Sequence, residues 1–310
     1  MTRILITGAA GAVGRALLAE LANTGEHEVI TTDLAAPADL PENVEFFPLD
    51  VRGNDPDTVI GAHQPEVVIH LASIVGHTTR EFAHSVDVTG SQNVIAACLK
   101  HGVRRLVVTS SGAAYGYHPD NPDWLKETDA LRGNVEFAYA DHKRQVEEML
   151  AKTSKDHPEL EQVILRVGTV LGAGLENQIT ALFHKPRLLA LVGSDSPFVF
   201  IWTQDLARIL HRAATDGPAG IFNVAGDGAL NISDLAQRLG KPVLRLPPAL
   251  LKLALAVAKP LKLSRYGPEQ VRFLQYRPVL DNTALKTKFG FQPELSSADT
   301  FDLWRRAAGL

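Results

Sequence analysis

The chain has one cysteine in 310 residues, Cys98, so no internal disulfide is possible. It stands in Val94-Ile95-Ala96-Ala97-Cys98-Leu99, an apolar helical setting that predicts a packed small hydrophobe rather than a nucleophile. Long apolar runs are missing as well: nothing approaches the ~20 residues that cross a bilayer. The most apolar stretch, Pro248 to Pro260, predicts a core or lid helix, or the wall of an apolar pocket, ahead of an interfacial anchor. Charge of one sign does not accumulate, with 31 Lys+Arg against 35 Asp+Glu and a net charge of −4. That balance argues against nucleic acid or an anionic membrane as the main partner and favours a small-molecule substrate. The eleven histidines are scattered, no His/Cys/Asp/Glu set has metal-ligand spacing, and no metal is expected. There is no repeat and no low-complexity tract. The first strand starts at Arg3, leaving no room for a signal peptide, and a cytoplasmic location is the expectation.

What is present begins with a glycine-rich turn. Arg3-Ile4-Leu5-Ile6 is a buried-strand pattern, and Arg15 to Leu21 has apolar residues at helical spacing. Between them lies Thr7-Gly8-Ala9-Ala10-Gly11-Ala12-Val13-Gly14. Such a turn aims free backbone N–H groups and the positive end of a helix at one point, while its glycines let a pyrophosphate approach the main chain. A second strand, Glu28 to Asp33, ends in an acid 19 positions past Gly14, where a carboxylate accepts from both ribose hydroxyls of an adenosine. An acid there repels a 2′-phosphate, and no arginine lies beside it or inside the glycine turn, so NAD is expected over NADP.

Further apolar runs follow at Val44 to Leu49, Val67 to Ala72, Arg105 to Ser110 and Gln162 to Val167. Helical segments separate them, near Asp55 to Ala62, Glu81 to Lys100 and Val135 to Ser154. Strict alternation predicts an α/β fold, a doubly wound parallel sheet with its ligand at the carboxyl ends of the strands. The large apolar fraction supports one large core and a smaller lobe. From about Gly168 the elements shorten: helices at Gln178 to Phe183, Thr203 to Thr215 and Ile232 to Leu239 behind an Asn231 cap, strands at Phe198 to Ile201 and Ile221 to Val224. The expected division is 1–167 for cofactor binding and 168–310 for a smaller, interleaved α/β lobe that walls the substrate.

Two pieces of the sequence carry chemistry. Tyr139-Ala140-Asp141-His142-Lys143 puts a phenol and an ammonium one turn apart on one helix face, where the ammonium favours the phenolate and reaches a ribose. Thr109-Ser110-Ser111 closes the fifth strand, and a hydroxyl there holds a carbonyl or alcohol oxygen against the tyrosine. In bland terms these are a packed Tyr, a solvated Lys and turn-capping serines.

Taken together and in order, these segments resemble the extended short-chain dehydrogenase/reductase family, the NAD-dependent epimerases/dehydratases. Besides the glycine turn, the matching pieces are Asp33, Asp50-Val51, His70-Leu71-Ala72, Ser110 to Gly116, Tyr139 to Lys143 and Leu165-Arg166. Phe198 to Ala207 and Phe222 to Asp227 extend the match over nearly the whole chain. The resemblance implies a Rossmann-type sheet in which Gly8, Gly11, Ala12 and Val13 approach the pyrophosphate and Asp33 the ribose. It implies that Asp50 and Val51 meet the adenine edge, that Leu71, Ala72 and Ser73 line the cofactor, and that Val167 flanks the nicotinamide. Ser111 takes the place of the catalytic hydroxyl, Tyr139 that of the acid/base and Lys143 its electrostatic support, with both also touching cofactor. A homodimer packed through Glu81 to Lys100 and Val135 to Ser154 is implied too.

The departures bear on substrate. Family dehydratases carry Asp-Glu directly after the catalytic Ser/Thr, whereas this chain has Gly112-Ala113, which disfavours dehydration. Nucleotide-sugar enzymes of the family usually have an Asn where Thr169 stands and an Arg shortly before Phe198; here Gly193 to Pro197 holds none, leaving Arg187, Arg265 and Arg272 as substitutes. The family's Asn in the long helix is Asp87. The expected activity is NAD-dependent hydride transfer with a secondary alcohol or ketone of modest size, partly apolar and conceivably sterol-like. The alternative is a sugar or nucleotide-sugar epimerase using the same tyrosine. An NAD-sensing protein without catalysis is disfavoured by the intact Ser111, Tyr139 and Lys143.

Overall fold

Seven parallel strands form the central sheet of the computed structural model, which describes residues 1–41, 44–76, 78–264 and 266–310. The first half runs β1 Arg3–Thr7, α1 Ala12–Thr24, β2 Glu28–Asp33, β3 Glu45–Pro48, α2 Asp55–His63, β4 Val67–His70, α3 Arg80–His84 and α4 Gly90–Lys100. It continues through β5 Arg105–Ser111, a 3₁₀ turn at Gly112–Tyr115, α5 Ala138–Asp156 and β6 Glu161–Val167. Beyond these come β7 Thr169–Leu171, α6 Thr180–Phe183, β8 Leu188–Leu191, β9 Phe200–Trp202, α7 Thr203–Ala214 and β10 Gly220–Val224. The chain closes with α8 Ile232–Leu239, β11 Val243–Leu246, α9 Pro248–Ala258, α10 Gln270–Gln275, α11 Thr283–Thr287 and α12 Ser297–Ala307.

The sheet order is β3-β2-β1-β4-β5-β6-β10, so the strand order reverses between β1 and β4. At that reversal the two outgoing connections diverge and leave a crevice at the carboxyl ends of the strands. Alternate residues serve opposite faces. Ile4 and Ile6 pack with Leu17, Leu21, Ile209 and Leu210 of α1 and α7, while Leu5, Val68 and Leu106 pack with Ile60, Val94 and Leu150 of α2, α4 and α5. Cys98 lies in the second of these cores, its thiol pushed up by burial.

The structure departs from the sequence reading in three ways. The strand at Ile221 to Val224, expected in the small lobe, pairs instead with β6 as the seventh strand of the main sheet, and α7 covers α1. A short apolar strand carries no mark of which sheet it joins. The small lobe keeps two paired ribbons, β7 with β9 and β8 with β11, around Phe183, Phe198, Phe200, Phe301 and Trp304. Second, none of α9 is buried: Leu251 and Leu255 are half covered, and Leu250, Leu253 and Val257 face solvent. Leucines and alanines on all sides give the sequence no polar face by which to orient the helix. Third, the expected single helix of residues 81–100 is broken by a π turn at Ser85–Thr89, which rotates Asp87 inward.

Where β5, β6 and β10 end, the core turns polar. The Arg166 guanidinium donates to both Glu147 oxygens (2.7 and 3.0 Å), to the Tyr115 hydroxyl (2.7 Å) and to the Glu127 carbonyl (3.0 Å). The Ser110 hydroxyl donates to Glu147 as well, and burial pushes the Tyr115 phenol up to about 12. Glu147→Gln keeps the volume but leaves the guanidinium buried without countercharge. It is expected to cost about 3–5 kcal/mol of unfolding free energy in a urea titration, and a loss under about 1 kcal/mol would contradict the pairing.

Candidate active site

The glycine turn leaves β1 with Gly8 at φ +72°, and a Cβ there would meet the Ala72 nitrogen at 2.6 Å. A Cβ on Gly14 would meet the carbonyls of Gly8 and Ala9 at 2.6 Å, and one on Gly11 the Gly8 carbonyl at 3.2 Å. The turn therefore closes only with glycines at Gly8 and Gly14. It delivers Gly11 as the N-cap of α1, whose first amide groups, on Ala12 and Val13, have no side-chain cap. Uncapped amides at the positive end of a helix suit an anionic ligand. A cavity of about 490 Å³ opens at this helix start, lined by Ala12, Arg15, Ala173, Leu175, Thr203 and Gln204.

Asp33 closes β2 beside the turn. One of its oxygens accepts from the Ala10 N–H (2.9 Å) and the other from the Leu34 N–H (2.7 Å), so Asp33 and the glycine turn are one hydrogen-bonded unit. Arg15, just past the turn, donates to the Ala10 carbonyl at 2.6 Å. Asp50 is clasped by Arg52, whose hydrogen bonds hold its carboxyl below the usual carboxylate range. Val51 is buried against Gly90, and its carbonyl accepts from Asn93 at 2.8 Å. Beyond β4, Leu71 and Ala72 press on Gly8, and the Ser73 hydroxyl donates to Asp87 at 2.8 Å.

On the far side of the crevice, Tyr139 and Lys143 occupy the first turns of α5. The Lys143 ammonium is buried, donates to the Thr109 carbonyl at the end of β5 (3.0 Å) and stands 5.6 Å from the Tyr139 ring centroid. Ser111 caps the 3₁₀ turn: its oxygen accepts from the Ala113 N–H at 3.1 Å, which leaves its proton to donate. Val167 lies directly across the ladder from Ser111, and Ala113 packs with Ala140 and Tyr139. The expected hydroxyl, phenol, ammonium and nicotinamide-side valine thus converge where β5, β6 and α5 meet.

The residues behind this front were not legible in the sequence. His70 is buried between Thr7 Oγ1 (2.7 Å) and Ser91 Oγ (3.0 Å). Ser91 gives its proton to the Asp87 carbonyl (2.5 Å), so His70 Nε2 donates to Ser91 and Nδ1 accepts from Thr7. Burial, with Lys143 nearby, lowers the His70 ring to about 3 and keeps it neutral. His142 also lies in the core, its Nδ1 3.2 Å from Asp87 Oδ2. In the lobe above, Arg277 stacks 3.9 Å from the Phe198 ring centroid and donates to Ser196, and burial pushes it down to about 9. A guanidinium thus lies against Phe198 from a distant part of the chain, while Arg272 is paired with Glu136 and Arg265 lies outside the described residues. Among the described residues no cluster of acids, histidines and cysteine could hold a metal.

Two expectations follow. Gly8→Ala forces a positive φ and a clash with Ala72, and should weaken NAD binding at least about tenfold in calorimetric titration, a milder effect contradicting the close approach. The neutral His70 binds no proton when folded but one when unfolded as the pH falls below about 6.5. Stability attributable to it is therefore complete above that value and declines on acidification toward its folded value of about 3. Between pH 6.5 and 5, ahead of the carboxylates, His70→Gln should show a shallower loss of unfolding free energy than the parent chain; parallel slopes would contradict a neutral buried ring.

Comparison with known proteins finds relatives of the same fold. An uncharacterized protein of Mycobacterium tuberculosis is 27% identical over 317 residues, covering 99% of this chain and 84% of its own length. A UDP-glucose 4-epimerase of Halalkalibacterium halodurans is 25% identical over 76% of this chain and 78% of its own. Among solved structures, the Thermus thermophilus UDP-glucose 4-epimerase in complex with NAD superposes with a TM-score of 0.76 at 23% identity, covering 98% of both chains. The Thermotoga maritima UDP-glucose 4-epimerase gives 0.77 at 20% identity, covering 99% and 98%. Residues 4–225 match the sequence profile of the NAD dependent epimerase/dehydratase family, so the chain belongs to that family and is an NAD-dependent enzyme.

Proposed function

We propose that the chain moves a hydride between the nicotinamide of NAD and a secondary alcohol or ketone, with Tyr139 as acid/base. The observation that carries this reading is the Lys143 ammonium, buried, fixed on the Thr109 carbonyl and facing the Tyr139 ring. Bound NAD supplies the hydride acceptor or donor. In the oxidative direction the Tyr139 phenolate takes the alcohol proton, the Lys143 charge supports the anionic ring, and the Ser111 hydroxyl donates to the substrate oxygen as it becomes a carbonyl. Gly8, Gly11, Ala12 and Val13 would hold the pyrophosphate, Asp33 the ribose, Asp50 and Val51 the adenine edge, and Leu71, Ala72, Ser73 and Val167 the remaining wall.

Residues 168–310, apart from β10 and α7, would supply the substrate side. Tyr117, Phe137, Phe273 and Tyr276 pack beside Tyr139, which supports a partly apolar substrate of modest size. The second reading, a sugar or nucleotide-sugar epimerase, is supported by the UDP-glucose 4-epimerases among the relatives. The reading carries with it a homodimer through α3, α4 and α5, implied by the sequence resemblance, and the cytoplasmic location expected from the sequence; no helix among the described residues is long and apolar enough to cross a membrane.

Tyr139→Phe should abolish turnover while leaving NAD affinity within about threefold, because the phenol oxygen is needed for proton transfer and not for the pyrophosphate. Wild-type turnover in that variant would sink the assignment. Following absorbance at 340 nm separates the two readings, since net NADH change accompanies a dehydrogenase and none accompanies an epimerase.

A further inference from the structure

Asp87 and His142 form a buried polar pair that the proposed chemistry leaves unused. Asp87 is 2% exposed and His142 fully buried, and the two come from the π turn and from the middle of the Tyr139–Lys143 helix turn, 55 residues apart in sequence. A carboxylate taken this far from water costs several kcal/mol unless donors surround it. Here one oxygen accepts from the Ser73 hydroxyl and the Ile74 N–H, both at 2.8 Å, and the other faces His142 Nδ1 at 3.2 Å. Those donors, together with the Lys143 charge, hold the Asp87 carboxyl below the usual range against the opposing effect of burial.

The histidine has no second employment. Its Nε2 is buried without a hydrogen-bond partner among the described residues, and its ring lies perpendicular to that of His84 at a centroid distance of 5.3 Å. With Asp87 ionised, the contact is read as the Nδ1–H of His142 donating to Asp87 Oδ2. The Ser73–Ile74 segment belongs to the wall of the NAD crevice that follows β4; His142 precedes Lys143 on α5. One carboxylate therefore ties the wall to the helix that bears the acid/base pair.

We propose that Asp87 and His142 are positioning residues: the pair sets the separation between the Leu71–Ile74 wall and the Tyr139–Lys143 face, and so the width of the nicotinamide end of the crevice. This rests on the NAD site described above. Tyr139 and Lys143 act on substrate and cofactor; Asp87 and His142 act only through them and through Ser73 and Ile74. Where the family resemblance carries an asparagine, this chain has a charged acceptor, and the Nδ1–H of His142 is its complement on the opposite element.

The test is a double-mutant cycle on the full chain with Asp87→Asn, His142→Phe and the two combined, reading NAD affinity by calorimetry and the exchange rate of the Ile74 amide. His142→Phe leaves the carboxylate one donor short and should weaken NAD binding about tenfold and speed Ile74 exchange by a similar factor. The combined variant, in which no unpaired charge remains, should recover to within about threefold of Asp87→Asn alone. Recovery of that kind is not produced by two independent losses of packing. If His142→Phe fails to fold, Ser73→Ala removes one donor without a cavity and is expected to raise Ile74 exchange and weaken NAD in step. Folded variants whose NAD affinity and Ile74 exchange stay within about twofold of the parent would overturn the proposal. Tyr139→Phe, run alongside, should leave Ile74 exchange unchanged and NAD affinity within about threefold; if it turns over substrate, the site reading fails while the positioning result stands on its own.

Discussion

The buried charges of Asp87, Lys143, Glu147 and Arg166 find their partners at or just beyond the carboxyl ends of the parallel strands. The strand interiors are mostly Ile, Leu and Val on both faces, and the buried hydroxyls of Thr31 and Thr32 on β2 donate to backbone carbonyls. Thr7, His70, Ser110 and Arg166 all stand at or near the ends of β1, β4, β5 and β6, and Asp87, Lys143 and Glu147 reach them from the helices. Hydrogen bonding then decides the geometry: Glu147 locks Arg166, Lys143 locks the end of β5, and Asp87 locks the loop after β4. At Lys143 and Asp87, contacts that satisfy buried polar groups also hold the elements of the proposed site.

The cofactor side follows from a steric constraint rather than a polar one. Gly8 approaches Ala72 so closely that a methyl group would collide with the backbone, and Gly14 lies equally close to the Gly8 and Ala9 carbonyls. That compactness brings the start of α1 to the crevice with its amides uncapped and draws Asp33 onto the Ala10 amide. The proposed dinucleotide site rests on this tight packing of the turn.

Much of this was readable in advance because it is local. The glycine spacing, the apolar strands, the acid at the end of β2 and the Tyr139–Lys143 helix spacing are patterns within a few residues, and each lies where its period placed it. The misplaced pieces are those whose partners are remote. β10 carries an ordinary short-strand pattern and takes its place only by pairing with β6, and α9 shows no polar face, so nothing marked its exposed side. The π turn interrupts a helix without disturbing its composition, and it is what turns Asp87 toward His142. Arg277 lies beside Phe198 across 79 residues of chain, a proximity no spacing rule encodes.

The most direct test of the account is calorimetric titration of the purified chain, cleared of nucleotide, with NAD and separately with NADP. The account predicts one NAD site per chain and binding of NADP at least about tenfold weaker, because Asp33 stands where a 2′-phosphate would lie. Absence of NAD binding at millimolar concentration, or equal affinity for both nucleotides, would contradict it.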